Sequence, residues 1–292
     1  MSISQIFAEQ YKKLPILVDA NTSGGKTYIV TGGNSGLGLE TARHLVRSEA
    51  ARVVITARNL DAGEKAKVDI ERSTGRKGVV EVWELDLGSY ASVKAFASKV
   101  SSSLERIDAV VENAGVMLDR FELVEGNETG ITVNVISTFL LAALLLPKLT
   151  ESARQFAIKP RLVFVGSALG FQAQKELAKS GKTDLFRGFN DAKRADMDQR
   201  YDLTKLVELY AFREFANRFP YDRTGVIINI ASPGLCSTGL AREARFALRA
   251  ALSVTRAIMA RTAEVGSRTI LHGVVADEES HGKFLSGCQI KE

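Results

Sequence analysis

Cysteine is nearly absent from this sequence. Cys236 and Cys288 are the only two in 292 residues, far apart and without Cys-x-x-Cys or Cys/His spacing around either. That excludes a disulfide framework and offers no ligand set for zinc, so a reduced, metal-free protein is expected. A block of one charge is missing as well. The 39 basic and 34 acidic residues are interleaved, so a net charge of +5 and a pI of 9.1 describe a solvated surface, not a nucleic-acid footprint. Long hydrophobic runs are lacking too. The longest, Phe139 to Leu146, is closed by Pro147 and Lys148, falls short of a bilayer span and reads as a buried helix. The N-terminal stretch lacks the continuous apolar core of a signal peptide, since Gln5, Glu9, Gln10, Lys12 and Lys13 interrupt it. Ile3, Ile6, Phe7, Gln10, Tyr11 and Leu14 are instead expected to form one helical stripe packed on the domain, and a cytoplasmic location is expected.

Neither an internal repeat nor a dividing linker is visible, and the composition, 45% hydrophobic and 25% charged, is that of an ordinary globular protein. One α/β domain over 1–292 is the simplest organisation, with an N-terminal extension at 1–24. Apolar, β-branched stretches at Tyr28 to Val30, Arg52 to Thr56, Val79 to Leu85, Asp108 to Val111, Leu162 to Val165, Val226 to Ile230 and Lys283 to Leu285 read as strands. Helical patterns alternate with them at Leu39 to Val46, Asp61 to Ser73, Tyr90 to Leu104, Ile131 to Leu149, Tyr201 to Arg218 and Leu240 to Ala263. That alternation predicts a Rossmann-type doubly wound, mostly parallel sheet with helices on both faces, and a ligand beyond the carboxyl ends of the strands. The charged stretch of about 171–200 breaks the rhythm and reads as a mobile insertion near a substrate site.

Between the first strand and helix lies Thr31-Gly32-Gly33-Asn34-Ser35-Gly36-Leu37-Gly38. Glycines there permit positive φ and close backbone approach, so a pyrophosphate can rest on the free N–H groups of the helix N-terminus. Further on, Tyr201 and Lys205 stand four residues apart on one predicted helix and hence on one face. An ammonium beside a phenol favours the phenolate and brings its pKa towards neutrality, which suits proton exchange with a carbonyl or an alcohol.

In order and approximate spacing, Thr31-Gly32-x-x-x-Gly36-x-Gly38, Asn113-Ala114-Gly115, Asn134, Ser167, Tyr201-x-x-x-Lys205 and Pro233-Gly234 resemble the short-chain dehydrogenase/reductase family, over nearly the whole chain. Glu112 to Val116, Leu144 to Leu149 and His281 to Leu285 are similar to its branch of retinol-dehydrogenase-like enzymes and fungal secondary-metabolism reductases. The resemblance implies a role for each residue. Tyr201 is the general acid/base; Lys205 holds the nicotinamide ribose and lowers the tyrosine pKa; Ser167 donates a second hydrogen bond to the substrate oxygen; Asn134 holds a water that links the lysine to solvent. Asn34, Ser35 and Leu37 join the glycine loop around the cofactor, Asp86 and Leu87 match the adenine-contacting pair, and Thr238 matches the residue that holds the carboxamide. Gly166 departs from the pattern, standing where many members have a second serine. The 34-residue interval from Ser167 to Tyr201 is also longer than in compact members.

Cofactor choice follows from charge. The second strand ends at Thr56-Ala57-Arg58-Asn59, with no carboxylate to bind a ribose 2′-hydroxyl and with a guanidinium suited to a 2′-phosphate, so NADP(H) is expected over NAD(H). The expected activity is interconversion of a ketone or aldehyde with an alcohol on an apolar small molecule. Leu235, Leu240, Phe246 and Leu248 suit such a ligand, and a homodimer through the helices of Asn134 and Tyr201 is compatible with the apolar run. Two other functions fit the fold: a non-redox isomerase, epimerase or dehydratase, whose relatives usually carry a differently spaced Gly-x-x-Gly-x-x-Gly loop, and a non-catalytic NADP-binding regulator, whose relatives tend to lose the tyrosine or lysine.

Overall fold

The computed structural model describes residues 9–181, 184–240 and 260–291. Strands and helices alternate from the start: β1 (Thr27–Val30), α1 (Gly36–Arg47), β2 (Arg52–Ala57), α2 (Leu60–Thr74), β3 (Val80–Glu84), α3 (Tyr90–Ser103) and β4 (Ala109–Glu112). A short hairpin, β5 (Leu123–Val124) and β6 (Asn127–Glu128), leads into α4 (Thr129–Phe156). Next come β7 (Arg161–Val165), the short helices α5 (Gln174–Lys179) and α6 (Leu185–Phe189), α7 (Met197–Arg218) and β8 (Ile227–Ser232). The described chain ends with β9 (Cys236–Ser237), β10 (Arg261–Thr262), α8 (Ala263–Val275), β11 (Phe284–Ser286) and β12 (Gln289–Lys291).

Eight strands form the main sheet in the order β12-β11-β8-β7-β4-β1-β2-β3. All neighbours run parallel except the β11–β12 pair. Such strands are covered on both faces and so read as continuous apolar runs. The first three strands step outward one way from β1, while β4, β7 and β8 step outward the other way, which makes the β1/β4 junction the switch point where a crevice opens. One face of the sheet packs α3, α4 and α7, with Leu141, Leu145 and Phe212 fully buried and Phe139 stacked on Phe164 at 4.8 Å. The other face packs α1, α2 and α8 through Ala42, Leu45, Ile70 and Ile270. Each such leucine or isoleucine side chain contributes about 2 kcal/mol of transfer free energy.

Several expectations change. Pro147 does not close the apolar helix, which runs on to Phe156. The N–H that proline lacks would have bonded the carbonyl of Ala143, and both residues lie on the exposed side of the helix, where losing that bond is tolerated. By length and composition α4 can cross a membrane, but 67% of its most apolar window is buried inside the fold, as in a core helix. Within 171–200, Phe189 is 1% exposed and packs against Ile131, Leu203 and Leu206, while most of the described residues around it are exposed or half-buried. At 260–262 the chain is extended rather than helical; the rest of the expected helix, with Phe246 and Leu248, and the Ile3, Ile6 and Phe7 part of the N-terminal stripe lie outside the described residues.

Candidate active site

At the carboxyl end of β1 the glycine turn is locked to the turn after β4. The Thr31 hydroxyl accepts the N–H groups of Asn113 (2.9 Å) and Ala114 (3.0 Å), and the Asn113 amide donates to the Thr31 carbonyl at 2.8 Å. The Gly32 N–H donates to Thr56 Oγ1 at 3.1 Å, which ties in the end of β2. Gly32 and Gly36 have φ of +62° and +56°, and a Cβ on Gly38 would lie 2.5 Å from both the Gly32 carbonyl oxygen and the Asn113 amide. Only glycine fits there. Ser35 precedes α1 without capping it by a side-chain hydrogen bond, so the first N–H groups of a twelve-residue helix face the turn, as an anion requires. Asn34 and Leu37 sit in this turn. A Cβ on Gly36 would meet Thr238 at 3.3 Å, which brings the segment after Pro233-Gly234 over the same turn. The cradle therefore fits a dinucleotide phosphate. Arg58 is exposed immediately after β2, while Asp86 and Leu87 follow β3; an Asp86 carboxyl oxygen accepts the Gly88 N–H at 2.8 Å, and Leu87 is buried in the core.

The reactive side chains stand on β7 and α7. Ser167 follows β7, and its hydroxyl oxygen accepts the Leu169 N–H at 3.2 Å, so it caps the following turn while its own hydrogen stays available to a ligand. That turn presses on α7, since a Cβ on Gly170 would lie 2.8 Å from backbone atoms of Lys205 and Leu206. Gly166 is explained in the same way. A Cβ there would stand 2.7 Å from Ile230, which leaves no room for the second serine. Tyr201 and Lys205 share one face of α7, the ammonium 6.0 Å from the centre of the phenol ring. Pro233-Gly234 closes the site from β8; Ser232 Oγ accepts the Ala168 N–H at 3.2 Å, and Gln10 pairs with both backbone groups of Leu235.

Asn134 lies in a π-helical turn of α4, Thr132–Ser137. Its amide oxygen accepts the Val116 N–H (2.8 Å), and its two N–H groups go to the Val116 carbonyl (2.9 Å) and Thr204 Oγ1 (3.0 Å). The amide thereby clamps the end of the Asn113-Ala114-Gly115 turn to α7, with Gly115 small enough to pass beneath it.

The short chain dehydrogenase family profile matches residues 26–180. Short chain dehydrogenase atnD of Emericella nidulans is 44% identical, over 97% of this chain and 90% of that protein. Short-chain dehydrogenase anuD of Penicillium roqueforti is 36% identical, over 100% of this chain and 76% of its own length. The chain is a short-chain dehydrogenase/reductase. Among solved structures, its fold is shared by the short-chain dehydrogenase of Sphingobium yanoikuyae in complex with NADPH (TM-score 0.63, 21% identity, 85% of this chain and 84% of that one). The RhlG/NADP complex of Pseudomonas aeruginosa is a second (TM-score 0.65, 21% identity, 89% and 94%).

Electrostatics in this dehydrogenase correct one expectation. Burial pushes the Tyr201 phenol up, and the Lys205 ammonium draws it down without cancelling that push, so the protein alone does not bring the tyrosine to neutrality. The lysine is itself committed: Nζ donates to the Val165 carbonyl at 2.8 Å and stands 2.7 Å from a Glu208 carboxyl oxygen. Glu208 and Glu112 are each 2% exposed; motif reasoning passed over the first and gave the second, which opens the Glu112-to-Val116 motif, no role. A carboxylate three residues after a lysine on an apolar helix face, and another inside a Val-Val strand, were the signals available. Cys236 is no nucleophile, because burial pushes its thiol up to about 12. A groove of about 720 Å³, lined by Ala143, Pro147, Arg154 and Phe219, lies farther along α4, away from these groups.

Proposed function

We propose that the chain is an NADP(H)-dependent oxidoreductase that interconverts a ketone or aldehyde with an alcohol on an apolar small molecule, in secondary metabolism. The observation that carries this reading is the placement of Tyr201 and Lys205 on one face of α7, against the Ser167 turn and beside a glycine cradle at the sheet's switch point. Gly32, Asn34, Ser35, Gly36, Leu37 and Gly38 hold the pyrophosphate; Asp86 and Leu87 flank the adenine, Asn113 to Gly115 the middle of the cofactor, and Pro233, Gly234 and Thr238 the nicotinamide. Arg58 pairs with the 2′-phosphate. The NADP(H)-bound solved relatives are consistent with that choice.

The nicotinamide supplies or accepts the hydride. In reduction, the Tyr201 hydroxyl gives its proton to the carbonyl oxygen while Ser167 Oγ donates a second hydrogen bond to the same atom, so the charge that builds there meets two donors. In oxidation, Tyr201 takes the alcohol proton, and the Lys205 ammonium stabilises the phenolate. Asn134 acts through position, holding the β4 turn against α7. A cytoplasmic homodimer belongs to this reading, through the faces of α4 and α7 on which Leu144 and Tyr210 are 37% and 42% exposed.

A spectrophotometric panel of carbonyls and alcohols with NADPH, NADP, NADH and NAD tests the proposal on wild type and Tyr201→Phe. The expected result is turnover with the phosphorylated cofactors that falls at least ~1,000-fold in the variant while NADPH binding persists. An NAD(H) preference, or full activity in Tyr201→Phe, would overturn it.

A further inference from the structure

The ammonium of Lys205 has three N–H groups. One goes to the Val165 carbonyl on β7, and the Glu208 carboxylate, one helical turn on and 2.7 Å away, faces the same nitrogen. Lys205 is 8% and Glu208 2% exposed, so the pair is largely withdrawn from water. In such a place a lone ammonium prefers to lose its proton. Burial pushes Glu208 up as well, and the Lys205 ammonium opposes that push. Tyr201 and Asp202 lie on α7 and Cys236 on β9; Glu112, at the end of β4, has one carboxyl oxygen without a partner and the other 3.5 Å from Thr31 Oγ1. Burial keeps Glu112 protonated, with its pKa pushed up to about 8, so at neutral pH it brings no charge to the lysine. Cys236 stays a thiol.

Resting on the oxidoreductase reading above, we propose that Glu208 is a positioning residue: its carboxylate keeps the proton on Lys205, so that Tyr201 is the member of the pair that ionises. Two proton sites on one helix face, the ammonium 6.0 Å from the centre of the phenol ring, compete for one loss. With Glu208 charged, the zwitterion-like arrangement of phenolate and ammonium is available, and the phenolate is the base that alcohol oxidation needs. Without it, Lys205 yields its proton first, and the remaining neutral amine no longer draws the phenol down. The ion pair also limits what the lysine can offer. With one donor given to Val165 and the ammonium held against Glu208, the lysine meets the cofactor ribose with what remains.

The test reads Tyr201 itself rather than turnover. Ultraviolet difference titration of the full chain, with the Tyr201→Phe spectrum subtracted, is run on wild type, Glu208→Gln and Glu208→Asp. Glu208→Gln is expected to move the Tyr201 titration to higher pH, and Glu208→Asp, which keeps the charge, to return it towards wild type. A shift to lower pH would overturn the proposal, because it would mean that Lys205 stays charged unaided and that Glu208 acts on Tyr201 by repulsion alone. An unmoved titration would overturn it as well. If Glu208→Gln fails to fold, nitrogen NMR of lysine-labelled wild-type and Glu208→Ala protein takes its place: a Lys205 ammonium that outlasts Tyr201 ionisation in wild type and is lost first in Glu208→Ala supports the proposal, and the same order in both refutes it. Neither measurement needs a substrate, so failure of the oxidoreductase reading appears separately, as absence of turnover.

Discussion

Replacing Glu112 by glutamine should change how the stability of this protein depends on pH. Burial pushes the Glu112 pKa from 4.5 up to about 8, with the Thr31 hydroxyl opposing and the charge of Glu208 adding to the push. The folded protein therefore retains a proton that the unfolded chain releases. For a group raised in this way, stability is intact below pH 4.5 and is lost as pH climbs to about 8. At ~1.4 kcal/mol per pH unit, the loss reaches about 3 kcal/mol at neutrality and about 5 kcal/mol at the top of the interval. Glutamine has the same shape and no titration, and leaving its two amide donors unpaired costs ~2 kcal/mol. Glu112→Gln is then expected to be slightly less stable than wild type at pH ~5 and more stable by several kcal/mol at pH ~8. Urea unfolding followed by circular dichroism at four pH values between these limits measures the crossing. Parallel stability curves for the two proteins would show that Glu112 is ionised in the fold, and the reasoning about its charge would fail.

Gly166→Ser restores the hydroxyl that many family members carry, yet its Cβ would stand 2.7 Å from Ile230; a loss of ~1–3 kcal/mol in thermal or urea unfolding is expected, and a wild-type midpoint would contradict the packing argument. Arg58→Glu places a carboxylate where the 2′-phosphate is expected. It should weaken NADPH binding by ~10- to 100-fold in a fluorescence titration while sparing NADH. Equal losses for both cofactors would sink the phosphate assignment.

The sheet was legible because its central strands are buried on both faces. Val53 to Ile55 and Leu162 to Val165 are uninterrupted apolar runs and needed no partner to be recognised. β12 escaped notice for the opposite reason: Gln289–Lys291 is a polar edge strand, defined only by its pairing with β11. Among the charged residues of 171–200, Phe171, Ala173, Leu177 and Phe189 reach the core, and apolar residues so scattered have no period to read. The site divides along the same line. Tyr201 and Lys205 share a helix face by arithmetic alone, so their partnership was visible in the sequence. The electrostatics of that partnership were not. Lys205 donates a hydrogen bond to the carbonyl of Val165, 40 residues earlier on β7, and that strand determines that the α7 face carrying Tyr201, Lys205 and Glu208 points inward. Once the face is inside, Glu208 changes from a solvated helix charge into the buried counterion of the lysine, and Glu112, on a strand that periodicity marks only as apolar, becomes the neutral acid beside it. Spacing places groups on a helix, whereas their charge states depend on what covers them, and here the cover comes from strands distant in the chain.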